Sequence, residues 1–211
     1  MKKIFKFLLI FTLGYNSNLT AQCPAVPSPY TENFGSANLP SCWQQSAISG
    51  DVQIKLASQS PRRQELIQNI FSNFKVVSKK IDEIYPKTLH VSEVASYLSK
   101  LKAAAYLEHA SKDELYITAD TVVIYQNEIL GKPVSKNDAF KMLRKLSGNT
   151  HEVYTGVSIL LNGSIRTFDD VTKVTFYELS DDEINYYIEK YQPMDKAGSY
   201  GIQEWMGYVG I

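Results

Sequence analysis

The chain has 211 residues, enough for one ordinary domain and an appendage, and its 44% apolar and 12% aromatic content calls for a packed core. Twenty-two basic residues balance twenty-two acidic ones, which removes the bulk electrostatic drive for binding nucleic acid or an anionic membrane. Cys23 and Cys42 are the only cysteines, and His90, His109 and His151 lie far apart, so neither a structural zinc site nor a Cys–His nucleophile is suggested.

Residues 1–22 read as a secretory leader. Lys2 and Lys3 precede an apolar run from Ile4 to Leu13 that only Lys6 and Thr12 interrupt, and Ala21 offers a small residue ahead of a cut at Gln22. The run is too short to span a bilayer as a stable helix, so cleavage is expected rather than anchoring. Residues 23–51 are rich in Pro, Ser, Asn and Gly and read as a linker or the remnant of a secreted module, in which Cys23 and Cys42 can pair after export.

At Val52 the pattern changes to alternating strands and helices. Val52, Ile54, Leu56 and Ala57 close a short strand, Ser58-Gln59-Ser60 makes a polar turn, and Pro61 suits the first position of a helix that runs to Phe74. Lys75–Lys79 reads as a strand and Ile81–Pro86 as an acidic loop. A helix is expected over Ser92–His109, capped by Ser92, with Val94, Tyr97, Leu98, Leu101, Ala104 and Ala105 at helical spacing and His109 on its surface. An apolar strand runs from Leu115 to Asp120 and on through Thr121–Tyr125 to a turn at Gln126-Asn127. After Gly131-Lys132-Pro133 comes a helix over Lys136–Leu146, ended by Gly148-Asn149. His151–Leu161 and Ser164–Tyr177 flank Asn162-Gly163 as a hairpin, and Ser180 with Glu183 forms a capping box for a helix through Tyr191. Elements of this order and length indicate an α/β or α+β domain.

The stretch LASQSPRRQEL, residues 56–66, gathers hydroxyls and backbone N–H groups at a helix N-terminus, and Arg62 and Arg63 follow at once. Helix dipole and guanidinium forks both favour phosphate; an ordinary capped helix with two solvated arginines uses the same residues. Asp120 stands inside an apolar strand, where an unpaired carboxylate is expensive. It must face water, a cation or donors. A divalent metal between Asp120 and a phosphate chain meets both demands, with Glu83 as a second carboxylate; the plainer account is a strand-end acid bonded to a turn. Lys132 sits in a rigid Gly-Lys-Pro setting, and Lys102 can run its stem along a buried helix face, although each also reads as a solvated lysine. PMDKAGSYGIQ, residues 193–203, joins Asp195 and Lys196 to two glycines and ends in Gln203, whose amide can donate and accept toward a base edge or simply close a loop.

These segments, LASQSPRRQEL, IDEIYP, ITADTVV, LGKP followed by MLRKLSGNTHEVYTGV, and MDKAGSYGIQ, resemble in that order the Maf nucleotide pyrophosphatases, and the resemblance covers residues 52–211. It implies a Maf/Ham1-like (inosine triphosphatase-like) α/β fold, a mixed sheet flanked by helices in two lobes around an active-site cleft. It implies hydrolysis of a nucleoside triphosphate to the monophosphate and pyrophosphate, with Asp120 as proton acceptor for water. Glu83 and Asp120 would hold Mg2+ or Mn2+, and Ser58, Arg62, Arg63, Lys102 and Lys132 the phosphates. Arg62, Thr121 and Gln203 fall where the family sets base choice, and the DKAGSYGIQ form points to dTTP and UTP, or modified pyrimidine nucleotides. Homodimers and a cytoplasmic setting are usual in similar proteins; the second conflicts with the leader. The family continues past Gln203 through a further strand and helix, so the domain is expected to be C-terminally incomplete. Two readings from other classes stand beside this one: a secreted noncatalytic binding protein, suggested by residues 1–50, and a septum regulator acting by protein contact.

Overall fold

The computed structural model describes residues 52–211; the leader, the linker and the Cys23–Cys42 pairing lie outside the described residues. β1 (Gln53–Leu56) feeds the polar turn and then α1 (Pro61–Gln68), with Pro61 opening the helix as expected. β2 (Lys75–Val76) pairs in parallel with β1. A 3₁₀ turn (Val91–Glu93) leads into α2 (Val94–Ala104), followed by β3 (Glu114–Tyr125) and β4 (Glu128–Leu130). α3 (Lys136–Leu146), the hairpin β5 (Thr150–Leu161) and β6 (Ser164–Thr175), and α4 (Asp181–Tyr191) come next. The chain then makes two 3₁₀ turns, Pro193–Asp195 and Ala197–Ser199, and a short α5 (Trp205–Val209).

The strands form one mixed sheet in the order β2-β1-β3-β5-β6, with β4 also on β3. β1 lies parallel to β3, whereas β4 and β5 run antiparallel to it. Both hairpin turns use left-handed pairs, Gln126-Asn127 and Asn162-Gly163, the conformation that matches strand twist.

β3 organises the interior because its alternate residues serve two cores. Val122 and Ile124 pack with Val94, Ala95 and Leu98 of α2. Val123 faces the other way, into a larger cluster with Leu143 and Leu146 of α3 and Ile184, Tyr187 and Ile188 of α4. Helices thus flank the sheet, as the α/β reading requires. Gly156 lets α2 approach β5 closely: a Cβ there would stand 2.5 Å from the Ser96 nitrogen. In the same layer the Ser99 hydroxyl meets that of Ser158 at 2.9 Å and the Ser99 carbonyl accepts from Thr118 at 2.7 Å, whereas the buried Ser96 hydroxyl has no hydrogen-bond partner among the described residues.

Several boundaries differ from the sequence expectation. α1 ends at Gln68 rather than Phe74, because Ile70 and Phe71 both turn back to donate to the Ile67 carbonyl. β2 is two residues, not five. α2 stops at Ala104 instead of His109, and Tyr106 leaves the helical path to stack on Tyr116 with ring centroids 4.8 Å apart. Ser92 is not its cap. The side chain of His90 instead accepts from the Ser92 N–H, and Glu93 closes a capping box around the preceding 3₁₀ turn. His109 is exposed, as expected. The capping box at Ser180 and Glu183 forms as read.

Candidate active site

The site begins with an interruption in the sheet. β5 covers one edge of β3 from Tyr116 to Ile124. On the other edge β1 pairs only as far as Ile117, which accepts from the Ala57 N–H at 2.8 Å, and β4 resumes pairing at Val123. Between them this edge of β3 has no strand neighbour among the described residues. Asp120 sits at the centre of this gap, so it is a mid-strand residue rather than the strand-end acid that one reading allowed. The turn after β1 is aimed at the same opening, which makes the gap equivalent to the crevice where strand order changes in open α/β sheets.

Arg63 fills part of the missing strand's role. From the first turn of α1 it donates to the Ala119 carbonyl at 2.7 Å and to the Thr121 hydroxyl at 3.3 Å, and Thr121 also meets Thr155 at 3.3 Å. A carbonyl that β1 would otherwise cover is thereby satisfied. Asp120 projects toward α2 and is 8% exposed. There it forms an ion pair with Lys102, whose ammonium also meets Glu83 from the acidic loop at 2.8 Å. The Lys102 side chain is 16% exposed where its ammonium meets the two acids.

Burial and charge together set the ionisation of the two acids. Burial raises the Asp120 pKa above the ordinary carboxylate value, and it outweighs the lowering pull of Lys102 and Arg63. For Glu83 desolvation also pushes upward, but the hydrogen bond and charge of Lys102, with the charges of Lys132 and Arg63, hold it below the usual range. Lys132 is exposed, and its charge acts on Glu83 across the opening. Gly131, beside it, accepts from the Gly198 N–H at 3.0 Å, tying the Gly-Lys-Pro turn to the segment 193–203.

Arg62 meets Asp195 at 3.4 Å. Ser58 is buried, and its hydroxyl accepts from the Ser60 N–H at 3.2 Å, whereas the Ser60 side chain caps nothing. The structure thus brings Asp120, Glu83, Lys102, Arg63 and Thr121 together, places Lys132 and Arg62 at the margin, and leaves Gln203 exposed with no hydrogen bond to the others among the described residues. Sequence reasoning named Lys196 but missed the partners that support it behind this margin, half-buried Glu204 and buried Tyr187. No spacing rule pairs a helix tyrosine with a glutamate seventeen positions on.

Among the described residues no three His, Cys, Asp or Glu side chains cluster. Glu83 and Asp120 nevertheless converge on one cationic centre, the Lys102 ammonium. Two carboxylates that share one cation are the protein contribution that a hard divalent ion bound through phosphates requires, so the donor set is of a kind that fits a divalent cation. No helix among the described residues is long and apolar enough to cross a membrane.

Comparison with known proteins agrees with the motif order. The family model described as Maf-like protein matches residues 53–211. A dTTP/UTP pyrophosphatase of Flavobacterium psychrophilum is 52% identical over 161 residues, 76% of this chain and 83% of that protein. Those of Phocaeicola vulgatus and Cytophaga hutchinsonii are 52% and 49% identical, over 75% and 76% of this chain and 83% and 73% of theirs. Among solved structures, the Staphylococcus aureus Ham1 protein aligns with a TM-score of 0.46 at 16% identity, covering 74% of this chain and 90% of that one.

Proposed function

The chain belongs to the Maf family, and from that premise we propose that it hydrolyses dTTP and UTP between the α and β phosphates, releasing the nucleoside monophosphate and pyrophosphate. The observation that carries this reading is the gap in the β3 edge, where a buried carboxylate, Asp120, stands with Lys102, Arg63 and Glu83.

Each residue is given a role in this reading. Asp120 accepts the proton of the attacking water, and the raised pKa that burial gives it makes it a better base near neutrality. Arg63, Lys102 and Lys132 neutralise charge on the phosphates as the bridging bond breaks and pyrophosphate leaves, and Ser58 and Arg62 extend the cradle along the chain. Glu83 and Asp120 would hold Mg2+ or Mn2+, which when bound neutralises phosphate oxygens and acidifies water. Arg62, Thr121 and Gln203 set base choice. The domain at 52–211 carries this chemistry, with 1–22 as a leader-like segment and 23–51 as a linker; the nucleotide substrate implies a cytoplasmic site of action, and a homodimer is the assembly proposed.

The test is pyrophosphate release by the purified chain with Mg2+ or Mn2+ against dTTP, UTP, CTP, GTP and 7-methyl-GTP. Release from dTTP and UTP is expected. Release from none of them by folded protein refutes the reading. Gln203→Ala is expected to change the order of preference among bases more than the rate on the best one, and an unchanged order removes Gln203 from that role.

A further inference from the structure

Lys196 has no part in the chemistry above, yet it is only 7% exposed. A lysine this buried is rare unless its charge is matched. Two carboxylates match it: its ammonium meets Asp195 at 2.9 Å and Glu204 at 3.1 Å. Each acid has its second oxygen engaged elsewhere. Asp195 receives Arg62 at 3.4 Å. Glu204 accepts from the Tyr187 hydroxyl, which in turn accepts the Gly201 N–H at 3.0 Å. A single ammonium therefore stands at the centre of a chain of bonds with Arg62 at one end and the backbone on either side of Gln203 at the other. Burial raises the Tyr187 pKa, reinforced by Glu204, so the phenol stays a donor to that carboxylate.

We propose that Lys196 is a positioning residue that couples the phosphate-facing Arg62 to the Gly201–Glu204 turn bearing Gln203, so that binding of the triphosphate and selection of the base are read as one event. The inference rests on the proposed function. Without the ammonium, Asp195 and Glu204 face each other as two carboxylates with no shared cation. Asp195, exposed at its other side, turns to water, and Glu204 loosens its hold on Tyr187 and Gly201. The turn with Gln203 then samples several orientations, and a base that lacks the matching edge is rejected less well.

The test compares the full-length wild type with Lys196→Met and Lys196→Arg in two readouts. Amide hydrogen exchange at Gly201 in the ligand-free protein should be about tenfold faster in Lys196→Met, because the local opening is easier. The kcat/KM ratio for dTTP over CTP should fall by about tenfold, mainly through KM, with kcat changed less than about threefold. Lys196→Arg should recover part of both. Faster exchange with an unchanged ratio makes the lysine a structural support only and overturns the proposal, as does unchanged exchange. Should Lys196→Met not fold, Glu204→Gln is the substitute, and an unchanged ratio in that variant is equally decisive. If the wild type releases pyrophosphate from no nucleotide, the proposed function has failed, while the exchange arm still decides whether Lys196 holds Gly201.

Discussion

Asp120→Asn separates catalysis from stability because the structure assigns the carboxylate opposite effects on each. For catalysis, amide for carboxylate removes the proton acceptor, and kcat should fall by about 10²- to 10⁴-fold. For stability the sign is reversed. Burial raises the folded-state pKa above the ordinary aspartate value despite Lys102, so above that ordinary value the folded state binds more protons than the unfolded one, and stability falls as pH rises. Asn carries no such dependence. Lys102 keeps its 2.8 Å contact with Glu83 and is not stranded. The variant should therefore match the wild type at the acid end and exceed it in stability at pH 7–8, read as a higher Tm there. Melts across pH 4–8, paired with pyrophosphate release, measure both. A rate loss below about tenfold removes Asp120 from the mechanism. A Tm at pH 7 below the wild type would show that attraction to Lys102 outweighs desolvation.

Three other outcomes follow from named contacts. Arg63→Lys gives up a fork that holds the Ala119 carbonyl and the Thr121 hydroxyl, and should raise KM about tenfold or more while costing about 1–3 kcal/mol; substrate titrations and melts check this, and an unaltered KM refutes it. Gly156→Ala places a methyl 2.5 Å from the Ser96 nitrogen, which should cost about 1–3 kcal/mol through overpacking and lower kcat by shifting α2 with Lys102; a Tm within about a degree of the wild type contradicts the close approach. His151 is buried, bonds the Tyr200 hydroxyl at 2.7 Å, and has its pKa lowered by burial to about 4. The unfolded state thus binds more protons between pH 6.5 and 4, and stability present above pH 6.5 is lost as pH falls through that range. His151→Phe should flatten this acid limb, and an equal slope in both proteins excludes His151 as its source.

The sequence conveyed element types well and their limits less well, for physical reasons that differ by residue. The capping box at Ser180, the hairpin turn at Asn162-Gly163 and Pro61 at a helix start are local signals, and the structure keeps each. The end of α2 is decided by the stacking of Tyr106 on Tyr116, a tertiary event without local warning. Asp120 was conspicuous because a carboxylate inside ITADTVV needs a reason. Its pairing with Lys102 was not readable, since helix spacing puts a lysine on a face without naming the strand beneath. β4 was invisible in three residues, and with it the gap that makes the site. Lys196 lies in the MDKAGSYGIQ motif, but nothing in the sequence ties it to Glu204 and Tyr187.

The interrupted edge of β3 also bears on the order in which the molecule assembles. β5 and β6 meet across a two-residue turn, and β4 folds back on β3 just as locally. β1 must instead find β3 in parallel, with Gln53 opposite Glu114, and closing so long a loop is slow. Arg63 reaches Ala119 only once that closure is made. During refolding, sheet formation should therefore precede competence to bind phosphate, and a chain emerging from the ribosome must hold its first strand and the anion-facing turn in waiting until β3 has been synthesised.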